Sequence, residues 1–245
     1  MLFFRIYQIL IAVPLLLVAT LLAAITTAVM CIPTRGRFWG YYPAKLWGRV
    51  FCILNFVRVT VDGRANIDPL TSYVFVANHQ GAFDIFSIYG YLGHNFKWMM
   101  KASLRRIPFV GYACYKAGHI FVDRSNAQSI RLSMEKARRQ LSDGMSLVVF
   151  PEGSRSRDGR LGVFKRGAFM LASELSLPVV PITISGAYEI MPRSARLPRP
   201  GRIRLTIHRP IEPQAADPAD TGSHNRAIQA VSEQARRAIA SSLPQ

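Results

Sequence analysis

The order of apolar and polar residues divides the chain into two parts. No charged residue occurs between residues 6 and 32, a run of 27 residues. As a helix, such a run would reach about 40 Å at ~1.5 Å per residue, more than the ~30 Å hydrocarbon core of a bilayer. From residue 59 onward, short apolar runs alternate with segments of helical spacing. This pattern predicts an N-terminal membrane-embedded helical segment (1–58) and an α/β domain (59–245) with a mainly parallel or mixed sheet flanked by helices.

Apolar, β-branched runs predict five strands, at 73–77, 119–122, 146–150, 179–184 and 203–208. Two amphipathic helices are predicted from apolar residues at helical spacing. One covers 126–142, preceded by a capping box at 125–128. The other lies near the C-terminus, where Ile228, Val231, Ala235 and Ile239 share one face. A loop rich in Pro and Arg is predicted at 191–201.

Basic residues indicate how the N-terminal segment is oriented. Only Arg5 precedes the apolar run, whereas four basic residues follow it closely, namely Arg35, Arg37, Lys45 and Arg49. The positive-inside rule therefore predicts a membrane protein, as in a bacterial inner membrane, with its α/β domain on the cytoplasmic face. Pro14 could kink the helix, so both a spanning and a re-entrant segment stay open. A cleavable signal peptide is the competing interpretation, but the apolar run is long for one.

Residues 37–61 interleave aromatic and basic side chains, including Trp39, Trp47, Lys45 and Arg49. Aromatic rings favour headgroup depth, and long basic side chains extend toward anionic phosphates. We therefore predict a second helix that lies against the membrane. A core helix or strand of the α/β domain is the alternative.

The chain is strongly basic, with 31 Lys and Arg against 14 Asp and Glu, a net charge of +17. This charge indicates an anionic partner: nucleic acid, a membrane surface or a phosphorylated substrate. The three cysteines (Cys31, Cys52, Cys114) are odd in number and lack metal-site spacing. We therefore expect neither a disulfide framework nor a metal site. We expect the protein to reside in a reducing compartment.

A histidine and an aspartate directly follow the predicted strand 73–77. His79 lies in a turn, and Asp84 lies five residues later, at the start of the next helix. A carboxylate bound to one ring nitrogen would fix the tautomer of the imidazole and stabilise its cation. The pair is therefore a candidate general base with its orienting partner. A loop histidine beside a helix-capping aspartate is the simpler alternative.

Two further polar blocks follow predicted strands. After 146–150 come Glu152, Gly153, Ser154 and Arg155, where guanidinium and backbone N–H groups could bind a phosphate. Lys101 opens another basic block, and Arg124 follows the strand 119–122. In open α/β sheets, ligands bind beyond the carboxyl ends of the strands. Solvated charged turns and a surface ion pair between Asp123 and Arg124 are the alternatives.

Four motifs in this order resemble those of the glycerolipid acyltransferases. They are Asn78-His79-Gln80-Gly81-Ala82-Phe83-Asp84, the segment 118–124 with its Ile-Phe-Val-Asp-Arg sequence, the segment 150–157 read as Phe-Pro-Glu-Gly-Ser-Arg-Ser-Arg, and Val179-Val180-Pro181-Ile182. The chain departs from the family at Ser154, where Thr is common, and at Ser103, where relatives often carry Glu. The resemblance covers roughly residues 73–186.

The resemblance implies transfer of an acyl chain from an acyl thioester to the sn-2 hydroxyl of a lysophosphatidic acid. It implies that His79 is the general base and Asp84 its partner. It also implies that Arg124, Glu152, Gly153, Ser154 and Arg155 bind the glycerol phosphate, with Lys101 as a further candidate. The donor would be the acyl thioester of acyl carrier protein or of coenzyme A. The acceptor would be a lysophospholipid in the bilayer. No cofactor and no covalent intermediate are expected.

Two other functions stay open. The same machinery could acylate another lyso-lipid, such as a lyso-ornithine lipid. A non-catalytic, membrane-anchored protein could instead bind anionic lipid or nucleic acid through Arg193, Arg196, Arg199, Arg202, Arg204 and Arg209. No nucleic-acid motif accompanies these arginines, so nucleic acid is not the expected partner.

Overall fold

The computed structural model describes residues 2–34, 36–123, 127–141, 145–213 and 221–243. Seven strands form one sheet in the described part of the chain. They are β1 (Val57–Asp62), β2 (Val74–Ala77), β3 (Phe96–Lys101), β4 (Ile120–Val122), β5 (Ser146–Val149), β6 (Val179–Ser185) and β7 (Gly201–Ile207). The helices are α1 (Leu2–Tyr7), α2 (Val13–Thr34), α3 (Tyr42–Leu54), α4 (Phe83–Tyr91), α5 (Val110–Lys116), α6 (Ala127–Gln140), α7 (Gly167–Glu174), α8 (Ala187–Ile190) and α9 (Thr221–Ser241).

The strand order is β1-β7-β6-β2-β5-β3-β4. Neighbouring strands are parallel except β6 and β7, which pair antiparallel, so the predicted mixed sheet is confirmed. The strands β2, β5, β3 and β4 are adjacent and parallel. Their carboxyl ends therefore meet at one edge of the sheet. This edge receives the polar residues that follow each of these strands.

Two apolar layers cover the sheet. Along β2 the side chains alternate, so that Phe75 and Ala77 face the layer that includes α3 and α4. Val74 and Val76 face the layer that includes α6, α7 and α9. All four side chains are fully buried. This is the burial expected for a central parallel strand with helices on both faces.

The five predicted strands are present within two residues at each end, and both predicted amphipathic helices form. Ile228, Val231, Ala235 and Ile239 are buried on α9 as expected. The capping box at 125–128 lies largely outside the described residues. Sequence reasoning missed β1 and β3. The boundary predicted after residue 58 falls within β1, and the N-terminal helices pack directly on the α/β part.

Among the described residues, one helical stretch, Leu2–Thr34, is long and apolar enough to cross a membrane by length and composition. A π-helical turn at Gln8–Ala12 interrupts it just before Pro14. One stripe of the stretch is buried against the rest of the protein: Gln8, Ala12, Leu16, Ala24, Thr27 and Cys31. The other faces expose leucines, with Leu10 69% and Leu17 62% accessible. The stretch therefore lies along the domain and turns its apolar side outward.

Polar contacts fix this helical stretch to α3 and the loop before β7. Trp47 donates its indole N–H to Thr20 Oγ1 at 2.9 Å. Gln8 Nε2 donates to Asn55 Oδ1 at 3.3 Å and to the Pro198 carbonyl at 3.1 Å. The helix α3 exists where an interfacial helix was predicted. Its inner face packs in the core, as the alternative interpretation expected, and its contact with a membrane stays a prediction. Phe51 stacks on Phe86 of α4 at 4.0 Å, whereas Leu46 and Ile53 on the outer face are more than 60% exposed.

Asn78 extends the pairing of β2 with β6 by one side chain. Its Nδ2 donates to the Ile184 carbonyl at 2.8 Å, and its Oδ1 accepts from the Ile184 N–H at 2.8 Å. The side chain is fully buried. An isosteric carboxylate would place an oxygen against the Ile184 carbonyl, with no proton to share.

We therefore expect Asn78→Asp to lower the free energy of unfolding at neutral pH by about 2 kcal/mol or more, because a buried acceptor is left unsatisfied. Thermal unfolding in detergent would measure the loss. Part of it should return in acid, where a protonated carboxyl group at this position can donate to the carbonyl again. An unchanged melting temperature at pH 7 would contradict this account of Asn78.

Candidate active site

The imidazole of His79 is bonded to the carboxylate of Asp84. Nδ1 lies 2.8 Å from Asp84 Oδ2. The same oxygen accepts the backbone N–H groups of Gln80 at 2.7 Å and Gly81 at 2.9 Å. Asp84 is fully buried in the first turn of α4. One carboxylate thus holds the turn before α4 and orients the ring. No side-chain hydrogen bond caps α4 itself, so Asp84 is not the helix cap of the simpler alternative.

These contacts define the tautomer of His79. Two of the three groups around Asp84 Oδ2 are backbone N–H groups, which can only donate, so this oxygen acts as the acceptor. Nδ1 therefore carries the proton, and Nε2 keeps a free lone pair. The His79 side chain is 14% exposed, so a small part of the ring is accessible to a ligand. This is the arrangement of a general base with its orienting carboxylate.

Stacked rings hold the plane of the imidazole. Phe150 lies against His79 with ring centroids 3.9 Å apart and planes 8° from parallel. Trp98 stacks in turn on Phe150 at 5.3 Å. Phe150 follows β5 and Trp98 belongs to β3, so two strands on the same side of β2 fix the ring in one orientation.

Glu152 ties the loop after β5 to the backbone of His79. Its Oε1 accepts the His79 N–H at 2.7 Å, and its Oε2 accepts the Gly162 N–H at 2.8 Å. The His79 carbonyl accepts the Ser156 N–H at 2.8 Å in return. Burial raises the pKa of the Glu152 carboxyl, and the two backbone N–H groups oppose this shift. Both oxygens face donors of the chain itself, an arrangement that suits positioning of the loop, and substrate binding by Glu152 stays a prediction.

The described members of the predicted phosphate-binding set lie at the same edge of the sheet. Lys101, Gly153 and Ser154 line one cavity together with His79. Arg155 is half-buried on the same loop. Arg124 lies outside the described residues. Arg106 also lines the cavity, is exposed, and forms no hydrogen bond or ion pair with the described residues. Sequence reasoning missed it, although it stands five residues after Lys101 in a stretch without acidic residues.

The cavity beside His79 has a volume of about 900 Å³. From His79 and Phe150 it extends between α2, α3 and α5, and its lining there is mainly apolar and small: Thr20, Ala23, Ala24, Ala44, Ala113 and Ala117. Helix α2 thus forms part of a cavity whose other end carries the histidine. A volume of this size matches that of sites for sizeable ligands, and the lining favours a hydrocarbon chain.

A buried polar pair in the cavity wall is neutral. The backbone N–H of Trp98 donates to His119 Nδ1 at 3.2 Å, so the proton of His119 is on Nε2, which donates to the Tyr89 hydroxyl at 2.7 Å. Burial lowers the pKa of His119 well below its usual value, with Lys97 and Lys136 adding to the effect. This part of the wall therefore stays uncharged, as a hydrocarbon ligand requires.

Comparison with known proteins adds the family. The sequence matches the model of the family described as Acyltransferase over residues 58–185, about half of the chain. It is 35% identical over 192 residues to a 1-acyl-sn-glycerol-3-phosphate acyltransferase of Chlamydomonas reinhardtii, covering 77% of this chain and 54% of that protein. It is 36% identical over 187 residues to a chloroplastic protein of the same name from Arabidopsis thaliana, covering 76% and 52%. The chain spans about half the length of these curated relatives.

The fold also matches a solved structure. The crystal structure of the 1-acyl-sn-glycerophosphate acyltransferase from Thermotoga maritima superposes with a TM-score of 0.75. The match covers 100% of this chain and 98% of that chain, at 24% identity. The family match includes the strands β2 to β6 and the residues around His79. The chain belongs to the acyltransferase family.

Proposed function

We propose that the protein transfers an acyl chain from an acyl thioester to the sn-2 hydroxyl of 1-acyl-glycerol-3-phosphate, which yields phosphatidic acid. One observation carries the proposal: His79, whose Nδ1 is bonded to Asp84, lines a large and mainly apolar cavity together with the cationic residues Lys101 and Arg106. The cavity therefore combines a candidate base with space for a hydrocarbon chain and with positive charge for a phosphate. The names of the relatives point to the same reaction.

In the proposed reaction, His79 Nε2 removes the proton of the acceptor hydroxyl while the oxygen attacks the thioester carbonyl. The tetrahedral intermediate collapses with cleavage of the C–S bond, and the imidazolium returns its proton to the departing thiolate. Asp84 stabilises the imidazolium between these steps, because its Oδ2 accepts the Nδ1 proton throughout. The products are the ester and the free thiol.

Direct attack by the acceptor fits the groups in the cavity. Cys114 is the cysteine that lines it, and burial raises the pKa of its thiol to about 11. At neutral pH the thiol is protonated and is a poor nucleophile. A covalent acyl-cysteine intermediate therefore has little support, and a single transfer step between the two substrates is the simpler path.

The membrane is the proposed source of the acceptor. The helical stretch Leu2–Thr34 exposes leucines on its outer side and lines the cavity on its inner side through Thr20, Ala24 and Thr27. A lysolipid therefore needs to move only a short distance from the bilayer to the site. The thioester of coenzyme A or acyl carrier protein would arrive from the cytoplasm, attracted by the net charge of +17.

The first test removes the base and its partner. We expect His79→Ala and Asp84→Ala to lower turnover of lysophosphatidic acid by roughly 10²- to 10⁴-fold, the range for loss of general-base catalysis. Turnover would be measured as the release of free thiol from acyl coenzyme A and from acyl carrier protein thioester by the purified protein in vesicles. His224→Ala, on α9, is the matched control and should keep normal turnover. Near-normal turnover by a well-folded His79→Ala protein would contradict the mechanism.

The second test concerns the phosphate. Lys101→Gln and Arg155→Gln should each raise the KM for lysophosphatidic acid by roughly tenfold or more, because a charge-assisted hydrogen bond of about 1.5–3 kcal/mol is lost. The KM for the thioester should change little. Arg138→Gln, on α6, where Arg138 pairs with Glu174 at the surface, is the control. A change confined to the KM for the thioester donor would contradict phosphate binding. If the wild type acylates lyso-ornithine lipid as well as it acylates lysophosphatidic acid, a different acceptor is favoured.

A further inference from the structure

The connection between β3 and α5 exposes apolar side chains beside the cavity. We define residues 104–112 as the β3–α5 segment. Within it, Leu104 is 41%, Ile107 43%, Phe109 60% and Tyr112 52% exposed. Four large exposed side chains within nine residues form a patch, whereas exposed apolar side chains on an ordinary surface are scattered. Patches of this kind mark sites of interaction with proteins or membranes.

The backbone places Phe109 at the tip of this patch in a strained turn. Its φ is 58° and its ψ is −55°, and Val110 N–H donates to the Pro108 carbonyl at 2.6 Å. These features define a γ-turn of the rare form with positive φ. For a bulky residue such a conformation is unfavourable, and the ring has little packing in the described structure to compensate for it. A surrounding apolar phase would supply that compensation.

Basic side chains and tyrosines flank the patch. The guanidinium of Arg105 lies 4.2 Å from the centre of the Tyr115 ring, and Lys116 Nζ lies 5.4 Å from that of Tyr112. Lys136 Nζ of α6 also lies 5.4 Å from the centre of the Tyr115 ring. Residues 101–116 contain four basic residues and no acidic one. Tyrosine and long basic side chains together are typical of the headgroup region of an anionic membrane.

The patch adjoins the apolar N-terminal helix and the cavity. Helix α5 packs against α2, whose outer side exposes Leu22 60% and Ile25 50%. Leu104 and Ile107 also line the cavity, whereas Phe109 is absent from its lining. The segment therefore faces the cavity with some side chains and the surroundings with others. Its outer surface extends that of the membrane helix.

We propose that the β3–α5 segment inserts into an anionic bilayer as a second membrane contact, separate from the N-terminal helix. Phe109 enters the acyl region, Leu104 and Ile107 lie between it and the cavity that they line, and Arg105, Tyr112 and Lys116 remain at headgroup depth. The segment thereby opens the cavity toward the lipid phase and admits the lysolipid acceptor at this point. The admission of the acceptor rests on the proposed function, whereas the insertion itself does not.

Insertion is tested without catalysis by labelling position 109. Phe109→Cys, in a Cys114→Ala background with the buried Cys31 and Cys52 retained, would carry an environment-sensitive fluorophore. In vesicles of phosphatidylglycerol and phosphatidylcholine, we expect a blue-shifted emission that nitroxide-labelled lipids quench. Leu70→Cys is the matched control, because Leu70 is 81% exposed and precedes β2, at the edge of the sheet opposite His79. Equal quenching at both positions, or none at position 109, would overturn the proposal.

Delivery of the acceptor is tested with Phe109→Asn, since Asn tolerates a positive φ and the fold should persist. We expect a several-fold higher KM for long-chain lysophosphatidic acid in vesicles. Turnover of a short-chain, water-soluble lysophosphatidic acid should stay unchanged, and Leu70→Asn should change neither. An equal loss for both acceptors would assign the segment to cavity structure and overturn delivery. If the label at position 109 is quenched but the wild-type protein acylates no lysophosphatidic acid, the proposed function is refuted and the membrane contact stands.

Discussion

The candidate site depends on one oxygen atom, Oδ2 of Asp84, which accepts three hydrogen bonds. Two come from the backbone of the turn after β2 and one from the imidazole of His79. A buried carboxylate is unfavourable unless it is bonded in this way. The shape of the turn and the orientation of the imidazole are therefore coupled, because both depend on bonds to the same oxygen. The spacing of five residues between His79 and Asp84 follows from this geometry.

A second carboxylate, that of the half-buried Glu152, extends the same principle to a loop distant in sequence. Glu152 accepts the N–H of His79 with one oxygen and that of Gly162 with the other. It thus joins the ends of β2 and β5, and Phe150 on the same loop stacks on the imidazole. The basic residues nearby belong to the neighbouring strand β3 and to this loop. Carboxylates organise the backbone of the site, while cations remain available for the substrate.

The N-terminal helix and the catalytic part form one body. A stripe that includes Gln8 and Thr27 is buried on the domain, and Trp47 of α3 bonds to Thr20. The cavity is therefore partly built from the helix that carries the apolar outer surface. A single helix thus separates the cavity from the apolar outer surface of the protein.

The sequence by itself predicted much of the local structure. Apolar runs located β2, β4, β5, β6 and β7, because consecutive buried positions, or in β7 alternating ones, leave a clear pattern. The motif around His79 predicted its contact with Asp84, since five residues across a strand-to-helix turn restrict the geometry. The strand β1 alternates regularly but was missed because its residues were assigned to the interfacial segment 37–61, and β3 was missed because its pattern is mixed. In β3, Lys97 is buried in mid-strand, where it donates to the Gly36 carbonyl at 2.8 Å and burial lowers its pKa to about 8.

Only the tertiary structure decided what lies around the base. The carboxylate of Glu152 and the backbone of His79 are 73 residues apart, and no local pattern indicates that the one accepts the N–H of the other. The cavity needs α2, α3, α5 and β3 at once, so neither its volume nor its apolar lining follows from any single segment. The sequence determined the contact between His79 and Asp84, because that contact is local. Chain packing decided the ring stack, the loop clamp and the cavity, because each joins segments that are distant in sequence.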